Sequence, residues 1–191
     1  MAVERMVSMK SPASLLRHVF TIVLIGAIAL TFGTLAANAT TKPLTMNDQV
    51  RHELLMLPWY GVFDNLEYQV NGTEVTLTGQ VISEHSVTKG DAGKFVSSIP
   101  GVTRVINNIE VLPPSPFDNQ IRRAEYNKVF SYADLGRYTL GANPPVHIVV
   151  KNGHVTLEGV VMNQMDKNMA GVIANTVPGV FSVENNLRIG S

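Results

Sequence analysis

The sequence contains no cysteine, and this removes a whole set of chemistries at once. Disulfides, thiolate metal sites, thiol nucleophiles and a lipoprotein anchor on Cys are all excluded. Charge of a single sign is also missing: 15 basic and 15 acidic residues give a formal net charge of zero. Non-specific nucleic-acid binding needs a basic footprint, so nucleic acid is not expected as a partner. Charged residues make up only 16% of the chain and hydrophobic ones 45%, a composition that buries a core rather than staying disordered. Catalytic signatures are lacking too. No HExxH, GxSxG, Walker-type or GxGxxG pattern occurs, and the five histidines (His18, His52, His85, His147, His154) include no pair at helical metal-ligand spacing. Catalytic residues, metal ligands and cofactors are accordingly all read as none.

No apolar run is long enough to span a bilayer comfortably. The longest, Val19 to Phe32, is 14 residues against the roughly 20 that a membrane helix needs. Arg5, Lys10 and Arg17 precede it, and Leu35-Ala36-Ala37-Asn38-Ala39 follows. A basic start, an apolar centre and small residues at Ala37 and Ala39 read as a signal peptide, residues 1–39, cleaved after Ala39 to leave a periplasmic protein that is not a lipoprotein. Met9-Lys10 is an alternative start.

What the chain does have is a duplication. Val75-Thr76-Leu77-Thr78-Gly79 returns as Val155-Thr156-Leu157-Glu158-Gly159, and Pro100-Gly101-Val102 with Val105 and Asn107-Asn108 returns as Pro178-Gly179-Val180 with Val183 and Asn185-Asn186. In the first copy, Thr45 and Asp48 suit a helix start, and Met46, Val50, Leu54 and Leu57 form one helical stripe that Pro58 ends. Leu66, Tyr68 and Val70, then Val75, Leu77 and Val81, alternate at period two around Asn71-Gly72, a hairpin. Ala92, Phe95, Val96 and Ile99 return to helical spacing, and Val102, Val105, Ile109 and Val111 close with a strand that is irregular around 104–108. The second copy repeats the order: a Ser115-capped helix with Ile121, Ala124, Val129, Phe117 and Tyr132 on its apolar side, a hairpin around Asn152-Gly153, a helix and a last strand. Asn71-Gly72 stands one residue further from its valine than Asn152-Gly153 does, which predicts a longer first turn. An insertion ending in Gly141-Ala142-Asn143-Pro144-Pro145 follows the second copy's first helix. The predicted fold is α+β, two small αββαβ domains (45–113 and 117–191), each a three-stranded mixed sheet with two helices on one face. Residues 114–116 are a proline-rich linker. Units of this size have thin cores, so some packing between them is expected.

These repeated motifs resemble the BON domain family, found in osmotically induced periplasmic proteins and outer-membrane-associated lipoproteins of Gram-negative bacteria. The resemblance implies a soluble, non-enzymatic protein of the cell envelope, active in osmotic stress, that associates with phospholipid or with envelope proteins. The motif residues themselves are turn glycines and sheet valines and carry over no site.

Candidate binding residues therefore lie where the copies differ. The stretch 121–132 interleaves cations with aromatics, as an interfacial helix does. The candidate lipid-binding set is Arg122, Arg123, Tyr126, Lys128, Phe130, Arg137 and Tyr138, with an anionic phospholipid surface as partner; the alternative is an ordinary amphipathic helix packing on its own sheet. Trp59, Tyr60 and Phe63 are either a partner surface for an envelope protein or the closure of the first unit's core. Met162, Met165 and Met169 have helical spacing and read as core. His147 and His154 flank the second hairpin and read as a solvated strand pair.

Overall fold

The computed structural model describes residues 44–132 and 134–190, so the signal peptide, its cleavage after Ala39 and the Met9 start lie outside the described residues. Residues 43–191 group as one compact unit that contains both repeats.

In the first repeat, helix α1 (Met46–Leu55) begins at a capping box: the Asp48 amide donates to Thr45 Oγ1 and the Thr45 amide donates to the Asp48 carboxylate. Strands β1 (Asn65–Asn71) and β2 (Glu74–Val81) form an antiparallel hairpin, and helix α2 (Val87–Ser97) carries the chain to β3 (Arg104–Asn107) and β4 (Glu110–Val111). Both of these short strands run parallel to β2, so they are one edge strand interrupted at Asn108 and Ile109. Val75, Leu77 and Val81 of β2 pack with Val50, Leu54, Ala92, Val96 and Ile109, which places both helices on one face of the sheet.

The second repeat follows the same path. Helix α3 (Pro116–Phe130) is capped by Ser115 and continues into a 3₁₀ turn, Leu135–Thr139. Strands β5 (Val146–Lys151) and β6 (His154–Val161), helix α4 (Gln164–Ala174), β7 (Ser182–Asn185) and β8 (Arg188–Ile189) complete an identical topology. The α+β reading holds for both copies.

The motif shared by the repeats has a specific mechanical use. Gly79 and Gly159 sit at φ +105° and +113°, and a Cβ at either would stand 2.1 Å from the carbonyl oxygen of Asn65 or Pro145. Only glycine permits that approach. Asn107 donates from its side chain to the Lys89 carbonyl at 2.7 Å, and Asn185 to the Lys167 carbonyl at 2.7 Å. Each asparagine also accepts the amide two residues on, bridging the strand break to the helix above it. Gly93 and Gly171 make room, since a Cβ there would meet those same asparagine side chains at 2.8 and 2.6 Å.

Four details differ from expectation. The two hairpin turns are equally long: Asn71 pairs with Glu74 across Gly72-Thr73, and Lys151 pairs with His154 across Asn152-Gly153. The extra residue shifts Asn71 into the strand instead of lengthening the turn. Met162 and Met165 are exposed, the latter at 72%, and only Met169 packs on the core. Helix α4 turns Ala170 and Ala174 into the core, because short side chains allow the closer approach. Phe117 and Tyr132 are exposed, while Ile121 and Val129 form the buried stripe of α3. His147 is buried rather than solvated, and its ring bonds are to the first repeat, not to His154.

Candidate binding surfaces

The loop between α1 and β1 joins the repeats. The Ile148 amide donates to the Val62 carbonyl at 2.8 Å, extending the edge of the second sheet. Tyr60 stacks on His147 with centroids 5.1 Å apart, its hydroxyl lies 3.2 Å from His147 Nε2, and His147 Nδ1 lies 3.2 Å from the Gly61 carbonyl. Burial holds the His147 pKa below the usual imidazole value and pushes the Tyr60 phenol up to about 12. Ile82, Leu112 and Val149, with Phe63 against them, form a small core between the repeats, and Lys151 bridges to Glu110 at 2.7 Å. Tyr60 and Phe63 thus serve the junction. Trp59 stays 59% exposed, its ring 6.5 Å from that of His85.

The loop is shaped by Asp64, which is fully buried. Its carboxylate accepts from the Ile82 and Gly61 amides at 2.9 and 3.0 Å and lies 2.7 Å from His85 Nδ1. No sequence motif marks this role. An aspartate beside turn residues was the only available sign.

Helix α3 divides the seven candidate lipid residues. Arg122 is 3% exposed; one guanidinium nitrogen donates to the Val150 carbonyl at 2.6 Å and another to Asn119 Oδ1, and its Nε has no partner. Phe130 and Tyr138 belong to the core of the second repeat. The Tyr138 hydroxyl donates to Asp166 and accepts the Met162 amide. Those three are withdrawn from any outer surface, because α3 and the 3₁₀ turn use that side to cover the sheet. Arg137 is held by Asp166 and lies 3.8 Å from Asp134. Burial acts to raise the Asp166 carboxyl, but the hydrogen bonds from Tyr138, Arg137 and Asn163 together hold it below its usual range.

Arg123, Tyr126 and Lys128 remain on the open side of α3, with Gln120 and Asn127. Among the described residues, Arg123 has no hydrogen-bond or ion-pair partner. Lys128 donates to the Thr176 carbonyl at 2.8 Å. Tyr126 meets Phe63 and Phe130 edge-on, at 6.2 and 5.1 Å. Beside it lies an open apolar depression of about 460 Å³ lined by Val62, Phe63, Arg123, Tyr126 and Asn127.

Two acidic residues of α3, Asp118 and Glu125, face inward. Asp118 accepts the Asn152 and Gly153 amides at 3.0 and 2.8 Å, pinning the second hairpin turn. Glu125 is fully buried, neither carboxylate oxygen has a partner, and burial raises its pKa to about 8. Among the described residues no group of three or more His, Cys, Asp or Glu side chains is arranged to hold a metal, and no helix is long and apolar enough to cross a membrane.

A model of the BON domain matches residues 47–113 and 135–191, well over half of the sequence, and the chain belongs to that family. Helix α3 lies outside both matched segments. Among solved structures, the C-terminal domain of CdsD, the structural protein of the type III secretion system of Chlamydia trachomatis, aligns at 12% identity over 78% of this chain and 100% of that one, with a TM-score of 0.31. A second CdsD structure aligns at 13% identity over 78% and 94%, with a TM-score of 0.30. Scores at that level support no functional transfer. No curated protein matches the chain.

Proposed function

We propose that this protein is a non-enzymatic component of the bacterial cell envelope, exported to the periplasm, that associates peripherally with anionic phospholipid surfaces during osmotic stress. The observation that supports this reading is the open side of α3, where Arg123, Tyr126 and Lys128 stand clear of the core beside the Phe63 depression. The buried carboxylates of Asp64 and Asp118 are spent on backbone amides, and that of Asp166 on the side chains of Arg137, Tyr138 and Asn163, which fits a binding role better than a catalytic one. Each cation near an anionic leaflet contributes about 1 kcal/mol, so two give weak binding that salt suppresses. Co-sedimentation with phosphatidylglycerol vesicles at low and high salt tests it. Binding at low salt that fades at high salt is expected, and no binding at low salt would sink the reading.

A second reading has its own observation. The only tryptophan of the chain, Trp59, is an exposed residue of the junction loop, and Trp is enriched at protein-binding hot spots. Crosslinking in the periplasm discriminates: a defined protein partner that Trp59→Ala removes would favour a protein-interaction module over lipid.

A further inference from the structure

The two sheets have four edges, and three of them are blocked or broken. The β3–β4 and β7–β8 edges are each interrupted midway, which spoils them as templates for a further strand. On β5, Ile148 and Val150 turn their backbone groups away from β6, and both are engaged. The Ile148 amide donates to the Val62 carbonyl, and the Val150 carbonyl accepts from Arg122. The fourth edge is β1. It pairs with β2 through seven consecutive residues without a bulge, and Asn65–Asn71 includes no lysine or proline to protect it. Tyr68 and Val70 hold the places on β1 that Ile148 and Val150 hold on β5, opposite Leu77 and Val75 as those are opposite Leu157 and Val155. Asn71 closes a two-residue turn with Glu74, so Asn71, Gln69 and Glu67 exchange backbone bonds with β2. Leu66, Tyr68 and Val70 therefore turn theirs to the open side. The Leu66 amide is bonded to the Tyr60 hydroxyl. Among the described residues, no backbone partner meets Tyr68 or Val70 on that side.

This edge opens onto a groove. A cleft of about 460 Å³ is lined by Leu66, Glu67 and Tyr68 of β1 and by Glu158, Asn186 and Arg188 of the second repeat. Through Glu158 and Asn186 it adjoins a cleft of about 370 Å³ whose walls include Glu184 and Lys151. Three carboxylates, Glu67, Glu158 and Glu184, thus face two cations, and Lys151 is already paired with Glu110 at 2.7 Å. Burial raises the Glu158 carboxyl, and Glu67 and Glu184 raise it further, against the Asn186 hydrogen bond and Arg188. We infer that the groove takes an extended cationic peptide segment of another protein, added as a strand along β1. Main-chain bonds to Tyr68 and Val70 provide affinity, and lysine or arginine side chains at alternate positions, set against Glu67 and Glu158, provide selectivity. A second copy of this chain matches the groove poorly, because the one charge on β1 is that of Glu67. The groove shares no residue with Trp59 or with the open side of α3, so it is independent of both earlier readings.

Fluorescence anisotropy of the purified protein with a labelled, end-capped octapeptide of alternating lysine and valine tests the site directly. Saturable binding at low salt is expected. An octapeptide of alternating glutamate and valine, and the lysine peptide N-methylated along its backbone, should each bind at least about tenfold more weakly. Glu67→Gln and Glu158→Gln should each weaken binding about threefold, the size of one exposed ion pair. On saturation the Tyr68 and Val70 amides should gain protection from hydrogen exchange, read residue by residue by NMR. Trp59→Ala and Arg123→Gln separate this site from the earlier readings, since each should leave peptide binding intact. No saturable binding, equal binding of the glutamate or the N-methylated peptide, unaffected glutamine variants, or binding lost in Trp59→Ala would each overturn the proposal. So would protection at other amides in place of these two. A concentration-dependent dimer that already protects both amides without peptide would give the edge to a second copy and overturn it as well.

Discussion

Glu125 and the paired asparagines show how single side chains carry weight here that their residue type does not announce. A carboxyl raised to about 8 in the folded state keeps its proton where the unfolded chain, near 4.5, has already lost it. Its contribution to stability is therefore fully present below about pH 4.5 and is lost as pH rises through 8. The shift corresponds to roughly 3–5 kcal/mol at most. Glu125→Gln should stabilise the protein at pH 8 and flatten its stability between pH 5 and 8, as urea melts across that range would show; an unchanged pH dependence would refute the assignment. The asparagine pair offers an internal control. Asn185 makes two hydrogen bonds that tie the last strand to α4, whereas Asn186 is exposed. Asn185→Ala should cost about 2 kcal/mol and Asn186→Ala less than about 0.5.

Among the elements, the hairpins were the most legible in the sequence. Strict alternation in Val75, Leu77 and Val81 and in Val155, Leu157 and Val161 leaves no other face for the core, and all six are buried. Gly159 takes one position of that alternation, at a point where the backbone of Pro145 passes too close for any Cβ. Gly159→Ala should therefore destabilise by at least ~3 kcal/mol, measured by chemical denaturation, and Gly79→Ala should do the same in the first repeat. Helices were less legible, because an amphipathic stripe records which residues are large rather than which face can approach. Helix α4 turns Ala170 and Ala174 inward and leaves Met165 outside. Helix α3 buries Asp118, Arg122 and Glu125, polar residues that hydrophobic periodicity assigns to solvent. Three of the seven candidate lipid residues were hidden for the same reason: Arg122, Phe130 and Tyr138 read as residues of an interfacial surface, but α3 and the 3₁₀ turn bury them.

At the scale of the molecule, the two repeats are joined by the loop after α1. Its Tyr60–His147 stack, the Val62–Ile148 hydrogen bond and the Ile82, Leu112 and Val149 cluster cross between them. No pattern within either copy predicts these contacts, since each belongs to a pairing of the copies. One cooperative urea transition is expected, and Val149→Asp should split it into two; two transitions in the wild type would contradict the coupling. His147 adds a pH signature. Its folded pKa lies below the unfolded value near 6.5, so the unfolded chain binds the proton first and stability falls as pH drops below about 6.5. His147→Gln should blunt that acid loss.

The repeated motif holds the fold, and the part of α3 that the fold leaves open is the surface proposed to bind lipid. Hydrogen exchange along the chain, with and without phosphatidylglycerol vesicles at low salt, tests that division most directly. Added protection should concentrate in residues 116–130 and in the adjoining loop at 62–63, and should vanish in an Arg123→Gln, Lys128→Gln variant of unchanged stability. Protection confined to the Trp59 loop, or spread evenly over both repeats, would contradict it.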